Sequence, residues 1–137
     1  MKTLNELTTD LDVFEYIKDF LLTQNAKSID NEKDTCLYRF DTGNYSLGYM
    51  KCAIGCLIKD EFYNEEFETK SITDLGVYRA VANSVPNWEV NKVMLSKLQN
   101  IHDVELVEHW EGLLNDFYDF IENGKYSEQP ELEESNG

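Results

Sequence analysis

Lys51-Cys52-Ala53-Ile54-Gly55-Cys56-Leu57-Ile58-Lys59-Asp60-Glu61-Phe62-Tyr63 holds a seven-residue apolar run, Cys52 to Ile58, closed off on both sides by charge. A run of this length suits a buried strand and a buried helix alike, and periodicity does not separate the two. Ala53, Cys56 and Leu57 favour a short helix, and the polar, acidic segment that follows ends it. On a helix Cys52 and Cys56 share a face at i, i+4 spacing. The fold class turns on this segment, because most of the chain outside it patterns as helix.

Upstream, residues 35–40 alternate, with Cys36, Tyr38 and Phe40 on one side and Leu37 and Arg39 on the other. That period of two predicts a short strand. Asp41-Thr42-Gly43-Asn44 reads as a turn, and residues 44–50 as a loop able to hairpin back. Earlier still, Val13, Phe14, Ile17, Phe20 and Leu21 recur at helical spacing, with Thr9 or Asp10 placed to cap and the polar residues 24–34 to stop the helix. Downstream, Phe62, Tyr63 and Phe67 fall in a turn-rich stretch that should lay rings over the core. Ser71-Ile72-Thr73-Asp74 has capping-box-like spacing, predicting a helix over 72–83 with Leu75, Tyr78 and Val81 on its apolar side. After Pro86-Asn87, Val90, Met94, Leu98 and Ile101 form the next stripe, which stops near His102-Asp103, where Asp103 can cap a further helix. That last helix carries Val107, Trp110, Leu114, Phe117 and Ile121 and ends at Asn123-Gly124.

The expected fold is mainly α: one compact domain of four or five helices over residues 1–122, with a short two-stranded β element near residues 35–50. Residues 123–137 read as an acidic, disordered tail. The predicted core comprises Phe14, Ile17, Phe20, Cys52, Ile54 and Leu57 from the first half. From the second half it takes Met94, Leu98, Ile101, Trp110, Leu114 and Phe117.

Charge narrows the function classes. Against 12 bases stand 27 acids, a formal charge of −15 over 137 residues. This disfavours phosphate backbones and anionic membranes, so neither direct nucleic-acid binding nor membrane association is expected. A DNA mimic is an alternative reading of the same charge, although the acids are dispersed rather than gathered in dense runs. The N-terminus lacks the apolar core of a signal peptide, and three cysteines make no disulfide framework, which together point to the cytoplasm with reduced thiols.

Three chemistries compete for the notable residues. Cys36, Cys52, Cys56 and His102 could form a Cys3His zinc set, yet zinc sites usually bring close ligand pairs on knuckles, and here the only close pair lies in an apolar run. Core thiols are the simpler reading, and no metal or cofactor is expected. A thiol enzyme would use Cys52 as nucleophile, activated by a helix N-terminus and Lys51, with His102 as base and Asp103 as orienting group. Against this, His102 and Asp103 are adjacent and should point different ways, and His102 more simply caps helical carbonyls. Finally, Tyr38, Arg39, Lys51, Tyr63 and Arg79, with Lys59 and Tyr78, could line a pocket that stacks on and pairs with a small nucleotide.

The order Cys36-x-Tyr38-Arg39, Lys51-Cys52-Ala53-x-Gly55-x-Leu57-Ile58, residues 60–63, Glu68, then Leu98-Gln99-x-Ile101-His102-Asp103 with Trp110, resembles a group of small proteins common in tailed-phage genomes and also found in bacterial chromosomes. The resemblance spans residues 11–121. It implies a virus-encoded accessory protein made in the host cytoplasm, and it implies no particular reaction. In that group the Cys56 position is usually a small apolar residue, so Cys36, Cys52 and His102 are where a site is expected. The leading expectation is a non-enzymatic protein that binds and blocks a host factor of anti-phage defence through that factor's basic surface. A sponge for a small nucleotide immune signal is the main rival.

Overall fold

Three α-helices of this chain begin where a side chain supplies the missing acceptor. The computed structural model describes residues 2–25, 27–30, 35–41 and 49–123; most of the turn expected at 41–44 and of the loop expected at 44–50, and the tail beyond Asn123, lie outside them. Thr9 is extended, and its Oγ1 accepts the Asp12 N–H at 3.0 Å to open α1, Asp10–Gln24. Asp10 and Asp12 lie in the first turn, where the helix dipole favours carboxylates. The helix closes at Asn25, whose φ of 52° is the left-handed conformation that Asn tolerates better than most residues. Val13, Phe14, Ile17 and Leu21 are buried, while Phe20 is only partly so.

Two short antiparallel ladders follow. β1 (Ile29–Asp30) pairs with β2 (Thr35–Cys36), and β3 (Arg39–Asp41) pairs with β4 (Tyr49–Lys51) in the register Arg39↔Lys51, Phe40↔Met50, Asp41↔Tyr49. The strand expected at 35–40 is therefore split at Leu37 and Tyr38. Their N–H groups leave the ladder, Leu37 donating to the Ser28 carbonyl at 2.8 Å and Tyr38 to Glu68 Oε1 at 2.7 Å. The Gln24 side chain clamps the end of β4, accepting the Lys51 N–H at 2.9 Å and donating to the Lys51 carbonyl at 2.8 Å.

Residues 52–58 hold the expected short helix only as a 3-10 turn rather than across the whole run. The chain turns at Cys52–Ile54, then makes a single 3-10 turn, Gly55–Leu57, with every residue from Cys52 to Ile58 buried. Gly55 explains the departure. A Cβ there would lie 2.0 Å from the Tyr38 carbonyl oxygen, so this segment presses backbone against backbone. The Ile54 N–H is satisfied by the Gln99 side chain at 3.0 Å, a partner outside any local helix.

Phe62, Tyr63 and Phe67 pack against the core as expected, Tyr63 and Phe67 edge to face with centroids 6.3 Å apart. The next helix starts later than its sequence spacing suggests. Ser71 closes a turn, its Oγ 2.6 Å from Thr73 Oγ1, and Asp74 is the cap, accepting the Val77 N–H at 3.2 Å. α2 thus spans Leu75–Ser84, buries Val77, Ala80, Val81 and Ser84, and leaves Leu75 59% exposed. α3, Lys92–Val104, is capped by Asn91 and buries Met94, Leu95, Leu98 and His102. Asp103 lies inside α3 rather than ahead of the next helix; the chain leaves α3, makes a 3-10 turn at Val107–His109 that Leu106 precedes, and enters α4, Trp110–Asn123.

The core is one cluster, with α4 packed on both α1 and α3. Phe14 of α1 meets Phe117 of α4 edge to face and Tyr118 at a tilt, each at 6.1 Å. Trp110, Leu98, Met94 and Leu114 are fully buried, and burying a large apolar side chain contributes about 1.5–3 kcal/mol. Asp10 ties the loop before α3 to the start of α1, accepting from Trp88 Nε1 at 2.8 Å and Asn91 Nδ2 at 3.0 Å. The architecture is mainly α: the described residues form four α-helices with short strand pairs between the first and second.

Candidate functional site

The residues that carry the sequence motifs converge on one side of the buried 52–58 segment. His102, on the last turn of α3, is fully buried, stacked on the Trp110 indole with centroids 5.5 Å apart. Its Nε2 lies 3.0 Å from the Ser28 N–H. A backbone N–H can only donate, so Nε2 holds a lone pair and the ring proton sits on Nδ1. That proton meets Asp103 Oδ1 at 2.7 Å. The histidine and aspartate therefore do pair, contrary to the expectation from their adjacency, because the side chain of Asp103 folds back along the end of α3. The same Oδ1 accepts from Gln99 Nε2 at 2.7 Å, one helical turn earlier. Gln99 in turn holds the Ile54 N–H, so a chain of hydrogen bonds runs from Ser28 through α3 to the 52–58 turn.

This arrangement leaves His102 no nitrogen for a catalytic proton. Nor does it cap the carbonyls of α3. Cys52 is equally committed. It opens no helix, its Sγ accepts the Gly55 N–H at 3.3 Å, and burial pushes its thiol up to about 12, well beyond a nucleophile's working range. Cys56 is buried too, donates to the Ala53 carbonyl at 3.1 Å, and is raised by burial in the same direction. Among the described residues no three of His, Cys, Asp and Glu gather as metal ligands. For Cys36, as for Arg39, the structure describes the strand backbone alone, so their side chains lie outside this comparison.

The residues assigned to a nucleotide pocket fall on several elements, and the side chain of Arg39 lies outside the described ones. Tyr38 and Tyr63 do share a partner: Glu68 accepts the Tyr38 N–H on Oε1 and the Tyr63 hydroxyl on Oε2. Arg39 and Lys51 face each other as cross-strand partners in β3 and β4. Arg79 is exposed on α2, Lys59 Nζ donates to Asn5 Oδ1 at 2.9 Å, and the Tyr78 ring lies under Lys92 Nζ at 4.7 Å.

A cavity of about 350 Å³ opens beside this cluster. Tyr38, Glu68, Ser96, Gln99, Asn100 and Asp103 form much of its polar wall, and Leu37, Ile54 and Ile72 its apolar part. Tyr38 is itself nearly buried, its hydroxyl donating to the Lys70 carbonyl. Burial first, then the Cys52 thiol and the carboxylates of Glu68, Asp103 and Asp74, push that hydroxyl far above its ordinary range. Glu68, Gln99 and Ser28 were missed as site residues at the sequence level. Gln99 had a readable signal, since Gln99 and Asp103 stand at i, i+4 on one helix face. Glu68 stood in the pattern of the resemblance, but its bond to the Tyr38 N–H comes from a distant element and had no local signal.

Against family models, curated proteins and solved structures, the chain finds no match.

Proposed function

We propose that this chain is a non-enzymatic accessory protein of the phage type, acting by binding and blocking a host factor of anti-phage defence. One observation carries the reading. Among the described residues, the groups singled out for covalent chemistry, Cys52, Cys56 and His102, are buried with their polar atoms bonded internally, whereas many of the acids are exposed. The packed pair α1 and α4 turns Glu15, Asp19, Glu111, Asp116 and Asp119 to solvent. Such a surface suits a basic patch on a protein partner and speeds encounter by electrostatic steering. No described helix is long and apolar enough to cross a membrane.

The test is capture of partners from host lysate on the immobilised full chain, at low and at high salt. The expected result is a host protein retained at low salt and released at high salt, since steering between opposite charges is screened. Absence of any salt-sensitive protein partner overturns the proposal.

A further inference from the structure

We infer that His102 is a proton-operated latch: in mild acid a second ring proton releases the Ser28 segment from α3 while the helices stay folded. The latch needs no binding partner and is independent of the function proposed above. Nε2 of the neutral ring accepts the Ser28 N–H at 3.0 Å, and both residues are fully buried. An imidazolium carries a proton on each nitrogen and accepts nothing. After protonation two N–H donors face each other at that distance, so the Ser28 bond must open. On the other side of the ring the same proton has the opposite effect. The contact from Nδ1–H to Asp103 Oδ1 at 2.7 Å becomes a charge-assisted bond. The stacked Trp110 indole, its centroid 5.5 Å away, presents a π-face to the new cation. The ring therefore stays with α3, and what it lets go is the chain before β1.

Ser28 is where the strands are fastened. Its carbonyl accepts the Leu37 N–H at 2.8 Å, and its Oγ donates to the Met50 carbonyl of β4 at 3.0 Å. Neither bond involves the ring, so Ser28 leaves α3 together with its strand partners. Charged and titratable groups reach this seam from each element around it. Asp103, half-buried Glu105 just past α3, and the C-terminal end of α3 itself favour the imidazolium. Lys27, from the chain before β1, opposes it, its Nζ held 3.3 Å from the Asp103 carbonyl. Burial opposes the charge as well. The Cys52 thiol of the 52–58 turn, which feels Asp103, is held protonated and adds no charge, and Trp110 brings none from α4. With support and opposition both built in, the ring has two bonded states: neutral on Ser28, or charged on Asp103 alone.

The experiment is an NMR titration of the isotope-labelled full chain from about pH 8 to about pH 5, the range in which an imidazole changes charge. Long-range nitrogen–proton spectra of the His102 ring should show the Nδ1–H form at the upper end and both nitrogens protonated at the lower. The Ser28 amide should shift with the same midpoint as that ring. Its hydrogen-exchange protection should fall at least about tenfold, after correction for the intrinsic pH dependence of exchange. Amides of Leu98 and Leu114, inside α3 and α4, should keep theirs. Asp103→Asn keeps an oxygen for the ring proton but removes a charge that favours the imidazolium, so ring and amide midpoints should move together to lower pH. His102→Gln can offer Ser28 an oxygen at every pH and should make its protection independent of pH; the wild-type titration and Asp103→Asn decide the matter if this variant does not fold. A Ser28 amide that stays protected once the ring is charged, or a ring still neutral at about pH 5, would overturn the latch. So would an Nε2–H ring at the upper pH, midpoints unmoved in Asp103→Asn, or protection lost at Ser28, Leu98 and Leu114 together.

Discussion

Asp12 shows how much one side chain can organise at the start of this fold. Its carboxylate accepts from Lys2 Nζ at 2.9 Å and from both the N–H and the hydroxyl of Thr8 at 3.1 Å. The Lys2 hydrogen bond first, then the Thr8 N–H, hold its pKa down at about 2. An unfolded Asp titrates near 3.9, so the folded state binds this proton less well than the unfolded chain does. The resulting stabilisation is fully present above about pH 4 and is lost as pH falls through about 2. Asp12→Asn should therefore lower the melting temperature at neutral pH, and the gap from wild type should close between pH 4 and pH 2. Thermal melts across that window check it; a gap that persists at pH 2 would show that the carboxylate's charge is not what matters. At the other end of the core, Trp110 Nε1 is buried with no acceptor among the described residues, a donor whose desolvation costs about 1–3 kcal/mol. The stacked His102 and the apolar fit of the indole offset that cost.

Among the elements, the 52–58 turn is the one on which the others close. It touches β4 through its start, the Leu37–Tyr38 break through Gly55, α3 through Gln99, and α2 through the Lys59 N–H, which donates to Ser84 Oγ at 2.9 Å. Its own hydrogen bonds are short-range, Cys56 N–H to the Cys52 carbonyl at 3.0 Å and Leu57 N–H to Ile54 at 2.9 Å. Gly55→Ala should cost about 1–3 kcal/mol, since the added methyl meets the Tyr38 carbonyl and backbone cannot swing aside as a side chain can. Chemical denaturation measures this, and a midpoint equal to wild type would mean that the Tyr38 strand break moves freely. The same substitution in the solvent-facing part of α4, Gly112→Ala, meets nothing within 4 Å and should stabilise by up to about 1 kcal/mol.

On the scale of the whole molecule, charge opposes the compact state. The formal charge is −15, and among the described residues the surface ion pairs Lys2–Asp12 and Lys70–Asp74 answer only a few of the acids. Self-repulsion among the remaining acids should win. The melting temperature should therefore rise with salt from ~0.01 M to ~0.1 M, as the screening length falls from about 30 Å to about 10 Å. A falling melting temperature over that range would mean that attractive pairs dominate. The acidic surface expected to weaken the fold is the same feature on which the proposed binding to a basic partner rests.

Local pattern determined the helices in this chain. The stripes in α1, α3 and α4, the Thr9 cap and the rings at Phe62, Tyr63 and Phe67 all follow from spacing, because each depends on neighbours within a few residues. The same holds for most of the predicted core, with Phe20 and Ile101 slipping to its edge. Where α2 starts was less legible, since Ser71 and Asp74 both offer a cap and only the packing of Val77, Ala80 and Val81 chooses between them. Residues 52–58, the split strand and the cavity were beyond local reading. Gly55 against Tyr38, Gln99 on Ile54, Ser28 on His102 and Glu68 between two tyrosines are contacts across long stretches of chain. Sequence spacing carries the geometry of one turn of helix. Which backbone donor a distant side chain will satisfy is settled only when the elements pack, because an unpaired buried N–H costs more than any local preference can return.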